Sequence, residues 1–129
     1  MFLSSLTQNQ KETFLCLAHN VVVSDGDLTV GEELMMEDMR REMNIDQNYV
    51  PHYVELGGIE KIFTTRKDRS VAMIALIRLG YADGAFEVEE ESFLRVLCKA
   101  FEISDSDFSL LDNWVKRLVA LEKEASVFM

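Results

Sequence analysis

Two stretches of this sequence gather carboxylates at a spacing suited to a hard cation. Asp25, Asp27, Glu32 and Glu33 fall within nine residues, and Asp83, Glu87, Glu90 and Glu91 do so again. Each stretch holds an Asp-Gly pair, Asp25-Gly26 or Asp83-Gly84, with a Glu seven residues after the Asp. Oxygen donors with no His or Cys among them suit Mg²⁺, Ca²⁺ or Mn²⁺. The candidate metal set is therefore Asp25, Asp27, Glu32, Asp83, Glu87 and Glu90. The same residues have a structural use. Carboxylates at a helix N-terminus are stabilised by the macrodipole and by free N–H groups without any metal. Glu32 and Glu90 also stand where a capping box puts Glu. An EF-hand is excluded. Counting from Asp25, loop positions 6 and 12 are Val30 and Met36, and counting from Asp83 they are Val88 and Leu94, where Gly and Glu are required.

The elements that position these turns follow from apolar periodicity and caps. Thr7-x-x-Gln10 predicts a helix running to about Val23, ended at Asp25-Gly26. Thr29-x-x-Glu32 predicts a second helix, to about Met43. The stretch 46–65 contains Pro51 and Gly57-Gly58 and reads as two short helices. Helices are predicted over 68–82 and 87–101, and a last one opens at Ser104 or Asp105 and reaches about Glu124. Residues 14–18, 21–23 and 71–77 are apolar without a break, so the first helix and the helix over 68–82 should be buried. Leu17, Val21, Ile74 and Leu79 are the positions expected inside.

A constant offset of 58 aligns residues 14–46 with 72–104. It pairs Asp25-Gly26 with Asp83-Gly84, Val30 with Val88, and Glu32-Glu33 with Glu90-Glu91. The expected fold is one all-α multihelical domain over 1–129. It has two buried central helices and an internal pseudo-twofold duplication, helix–acidic turn–helix occurring twice. The first repeat covers about 7–46, the second about 66–104, and a C-terminal helix about 105–125.

Charge follows the same division. Residues 25–46 and 83–107 each hold eight acidic and two basic side chains, while the chain as a whole has a net charge of −10. The pI near 4.6 argues against a nucleic-acid partner, which needs a basic face. The longest apolar run, 71–77, is far short of a membrane span, and no signal peptide is visible at 1–6. Cys16 and Cys98 then read as buried thiols in a reducing cytoplasm.

Catalytic patterns are missing, and the expected role is non-enzymatic, with no cofactor required. His19 lies three residues after Cys16 and reads as a core or flanking histidine more readily than as the base for a thiolate. Lys61, Arg66, Lys67 and Arg69 read as partners of the acidic repeats or as solvated surface. Met35, Met36, Met39 and Met43 form a stripe that is core or an adaptable docking face. With Trp114 and Val127-Phe128-Met129 it is the candidate protein-partner surface.

The duplicated nonapeptides carry a family resemblance. Ser24-Asp25-Gly26-Asp27-Leu28-Thr29-Val30-Gly31-Glu32 and Ala82-Asp83-Gly84-Ala85-Phe86-Glu87-Val88-Glu89-Glu90 each follow a buried helix. The arrangement, over about residues 7–125, resembles the tellurite-resistance TerB-like family. The resemblance implies an all-α fold with two central helices, acidic clusters regarded as divalent-metal chelators, and a bacterial tellurite-resistance or stress-response setting. Asp25, Glu32, Asp83 and Glu90 match the family's acidic motif, and Ala85 departs from it. The alternative is an interaction module whose acidic turns are helix caps.

Overall fold

The computed structural model describes every residue of the chain except Asp25, Asp27 and Ala85. Among these described residues, a 3-10 turn at Leu3–Ser5 is followed by six helices: α1 (Gln8–Val23), α2 (Val30–Met43), α3 (Ile59–Ile62), α4 (Arg66–Gly80), α5 (Val88–Ala100) and α6 (Asp105–Ser126). Among the described residues there is no strand.

Helix starts are set where side-chain caps stand. Thr7 Oγ1 accepts from the Gln10 amide at 3.2 Å, and Gln10 Oε1 accepts from the Thr7 amide at 2.9 Å, a closed capping box. Thr65 caps α4 and Ser104 caps α6 in the one-sided form, each at 3.1 Å. The Gln10 amide group also donates to Ile62 O at 3.0 Å and to Asp68 Oδ2 at 3.1 Å. One buried side chain thereby joins the starts of α1 and α4.

The core is built on α1 and α4, which pack together. Phe14, Leu15, Leu17, Ala18 and Val21 of the first meet Ala72, Met73, Leu76, Ile77 and Leu79 of the second in one buried cluster. Met39 and Met43 of α2, Leu94 and Leu97 of α5, and Phe108 and Val115 of α6 join it, as do Leu3, Leu6, Ile59, Phe63 and Phe101. Leu17, Val21 and Leu79 are buried as expected. Ile74 is only half-buried, because its side of α4 opens into a groove beside α6.

The stretch 46–65 corrects one expectation. It holds a single short helix, α3, in place of two. The segment before α3 satisfies its backbone through side chains. Asn20 donates to Val54 O at 2.9 Å and accepts from the Val54 amide at 3.2 Å. Arg40 donates to Asp46 O and Tyr49 O, each at 3.0 Å. Pro51 has no amide to offer a helix and biases Val50 towards extended backbone, so these external partners prevail.

Arg69 shows a similar use of a cation. Its guanidinium donates to the carbonyls of Phe63 at 2.6 Å, Glu60 at 2.9 Å and Phe101 at 3.0 Å. It ties α3, α4 and the end of α5 together. Of the basic stretch, Arg66 faces Asp107 at 3.8 Å.

Candidate functional site

The helices that follow the acidic turns open at Val30 and Val88, positions related by the offset of 58. At the first, Thr29 Oγ1 accepts from the Glu32 amide at 3.1 Å, and Glu32 Oε1 accepts from the Thr29 amide at 3.0 Å. At the second, Glu87 replaces Thr29 as the cap residue, and its amide donates to Glu90 Oε1 at 3.2 Å. Glu32 is 4 % exposed and Glu90 3 %. A carboxylate so buried needs compensation, and the helix N-terminus supplies part of it through amide donors and the dipole.

Asp83 does something the spacing did not suggest. Its carboxylate lies across the molecule on the N-terminus of α2, where Thr29 Oγ1 donates to Asp83 Oδ2. Gly31 makes room for it. A Cβ at Gly31 would overlap the Asp83 carboxylate and come within 3.1 Å of Ala82 O. Thr29 therefore holds two carboxylates, Glu32 from its own turn and Asp83 from the other. Asp83 of the second turn is thereby joined to the N-terminus of α2.

The remaining candidates are placed differently. Asp25 and Asp27 lie outside the described residues. Glu87 is exposed at its cap position. Among the described residues, no group of three or more His, Cys, Asp or Glu is arranged to hold a metal ion. The donors assembled around Thr29, two carboxylates and a hydroxyl, are hard oxygens and chemically suit a divalent cation.

The second turn is held from below as well. A Cβ at Gly80 would overlap the Phe86 ring, so the bare helix end lets the turn fold onto it. Phe86 packs on Tyr81 with ring centroids 4.3 Å apart. Tyr81 donates to Asp112 Oδ1 of α6 at 2.5 Å, and burial with this carboxylate pushes its pKa up. At the matching position of the first turn, Leu28 is exposed. The two turns are thus packed unequally.

Cys16 does not pair with His19. Its thiol lies 3.3 Å from the Tyr49 hydroxyl and 3.8 Å from His52 Nδ1, both from the strap before α3. The hydrogen bond to Cys16 is the main reason that the Tyr49 hydroxyl is pushed up to about 12. Burial pushes the Cys98 thiol up to about 12. Both cysteines are free and buried.

Of the methionine stripe, Met39 and Met43 are buried, and Met35 and Met36 pack against the core. Trp114, by contrast, is 37 % exposed. It lines a groove of about 530 Å³ between α4 and α6, with Ile74, Ile103, Leu110 and Leu111 as apolar walls and Arg66 and Asp107 at its edge. Sequence reading named Trp114 but missed the groove, whose walls come from three separate segments. No helix of the described residues is long and apolar enough to cross a membrane.

Residues 56–113 match the family model described as Tellurite resistance protein TerB. The match covers a little under half of the chain. It takes in Asp83, Glu87 and Glu90, and leaves Asp25, Asp27 and Glu32 outside it. No curated protein and no solved structure matches the chain.

Proposed function

From the premise that this all-α chain is TerB-like, we propose a non-enzymatic binding domain in a tellurite-resistance or stress-response setting, with a divalent cation held where its two acidic turns meet. The observation that carries this reading is the pairing of Asp83 and Glu32 on Thr29. Two carboxylates brought together from opposite turns repel unless donors or a cation offset them. Asp83 and Glu32 would supply ligands, with Asp25 and Asp27 from the adjoining turn and Glu87 and Glu90 from the second. A bound Mg²⁺, Ca²⁺ or Mn²⁺ would supply charge neutralisation and a cross-link between the turns, and no redox or hydrolytic step is assigned to it. The cytoplasm is the proposed location, consistent with two free buried thiols.

A thermal melt with and without millimolar Mg²⁺, Ca²⁺ or Mn²⁺ tests the reading. Binding to the folded state raises the melting temperature in step with cation concentration. Asp83→Asn removes that rise while the protein stays folded. A melting temperature flat across all three cations overturns the cation reading.

One observation favours a second reading. Glu32 and Glu90 each accept an amide of their own helix start, so part of the acidic character is spent on capping. If capping is its whole use, the domain is an interaction module. Glu32→Ala then lowers stability by about 0.5–2 kcal/mol with or without cation.

A further inference from the structure

Helix α6 carries two apolar stripes. Phe108 and Val115 are buried in the core, with Leu111 and Val119 packed against it. The other stripe, which shares the half-buried Leu111 with the first, is Leu111, Trp114, Leu118, Leu121, Ala125 and Phe128, at alternating spacings of three and four residues. That is a heptad seam, the pattern with which one helix meets another. Leu121 is 60 % exposed and Phe128 90 % exposed. Val127 keeps helical backbone angles (φ −63°, ψ −24°), so the seam continues past Ser126.

We propose that this face is a self-association surface, on which α6 of a second copy of the chain packs antiparallel about a twofold axis. Three features of the molecule select that occupant.

The first feature is register. In an antiparallel pair centred between Leu118 and Leu121, each of these leucines faces the other's counterpart. Trp114 then faces Ala125, large against small, and Leu111 faces Phe128. All six seam positions find a partner in one register, which a self-complementary twofold interface requires. The same register brings Arg117 opposite Glu124, and the twofold makes that pairing twice. Both side chains are exposed and flank the seam.

The second feature is charge. The chain carries −10, which would oppose association of two copies over most of their surface. Residues 108–129 hold three acidic and three basic side chains, so this segment is neutral. The acidic first turns of α2 and α5 lie elsewhere in the chain.

The third feature is reach. The groove is open, with Ile74, Leu111 and Trp114 as apolar wall beside the charged Arg66, Arg69, Glu102 and Asp107. The exposed Phe128 suits it, but lies 17 residues from Leu111 on the same helix, about 26 Å away at 1.5 Å per residue. It cannot fold back into its own groove. A partner running antiparallel delivers its Phe128 there.

The chain has one tryptophan, Trp114, and it sits in the seam. Sedimentation equilibrium and tryptophan emission, measured on the full chain over a concentration series reaching about 100 µM, test the proposal. A monomer–dimer equilibrium with an emission blue shift on association is expected. Leu121→Glu, at an exposed position, should weaken association at least about tenfold, a change of about 1.4 kcal/mol, with helix content unchanged by circular dichroism. Arg117→Glu and Glu124→Arg should each weaken it, and the double variant should restore it. A monomer throughout the series overturns the proposal. So does a dimer indifferent to Leu121→Glu, or one that the double charge exchange fails to restore. None of these readouts depends on a cation, so failure here is separable from failure of the cation reading.

Discussion

The Asp83 carboxylate accepts a hydrogen bond from the Thr29 hydroxyl, 54 residues earlier in the chain. The first residue of the second acidic turn is thereby fastened to the start of the helix that follows the other. Thr29 is at once the cap of α2, through the Glu32 amide, and the donor that holds Asp83. Thr29→Val keeps the shape and removes both functions, so it should cost about 1–2 kcal/mol in urea unfolding. Thr29→Ser should retain most of the stability. Adding Asp83→Ala to Thr29→Val should then cost less than Asp83→Ala alone, with a coupling of about 0.5–3 kcal/mol. Strict additivity of the two losses would mean that the contact contributes nothing.

Gly31 lies under the same carboxylate. Replacing Gly by Ala inside a helix ordinarily stabilises by about 1 kcal/mol. Here the new methyl would displace Asp83 and crowd Ala82 O. Gly31→Ala should therefore give less than the ordinary gain in the parent chain, and a larger gain once Asp83→Ala has cleared the side chain. Equal effects in the two backgrounds would disprove the close approach.

Two neighbours on α4 should separate in cost. Leu76 is fully buried, and Leu76→Ala should lose about 2–5 kcal/mol through lost burial and a cavity. Ile74 is half-buried in the groove wall. Ile74→Ala should lose roughly half as much, since less apolar area leaves water on folding. Chemical denaturation of both variants, compared at equal m-values, decides the order.

Cys98 makes a pH prediction. Burial favours its neutral thiol and raises its pKa from 9.0 to about 12 in the folded chain. The folded state then holds a proton that the unfolded state has released between these values. The stabilising contribution is complete below about pH 9 and is lost as pH rises towards about 12. In a Cys16→Ser background, Cys98 should react slowly with a thiol reagent at pH 8 and quickly once urea unfolds the chain. Rapid labelling of the native protein would contradict the buried thiol.

Helix starts were legible in the sequence because their causes are local. Thr7-x-x-Gln10, Thr29-x-x-Glu32 and Ser104 each act within one helical turn, and each stands at the predicted boundary. The apolar runs that mark α1 and α4 as central were equally plain, since a helix apolar on all sides has to be enclosed. The TerB-like resemblance lay in the same local patterns, and the family match over 56–113 bears on the second of them.

What tertiary structure decided are relations between segments far apart in sequence. Seven-residue spacing suggested that Asp83 would serve with Glu90, but the packing of the two helix pairs set its carboxylate on Thr29. Pairing Cys16 with Tyr49 and His52 required the strap before α3 to pass beside α1. That strap was misread as helical because its backbone partners, Asn20 and Arg40, lie on other elements. The seam of α6 can be counted in the sequence, but only burial shows which of its two stripes the core uses. Local pattern sets where a helix begins and which side is apolar; which neighbour covers that side depends on long-range packing.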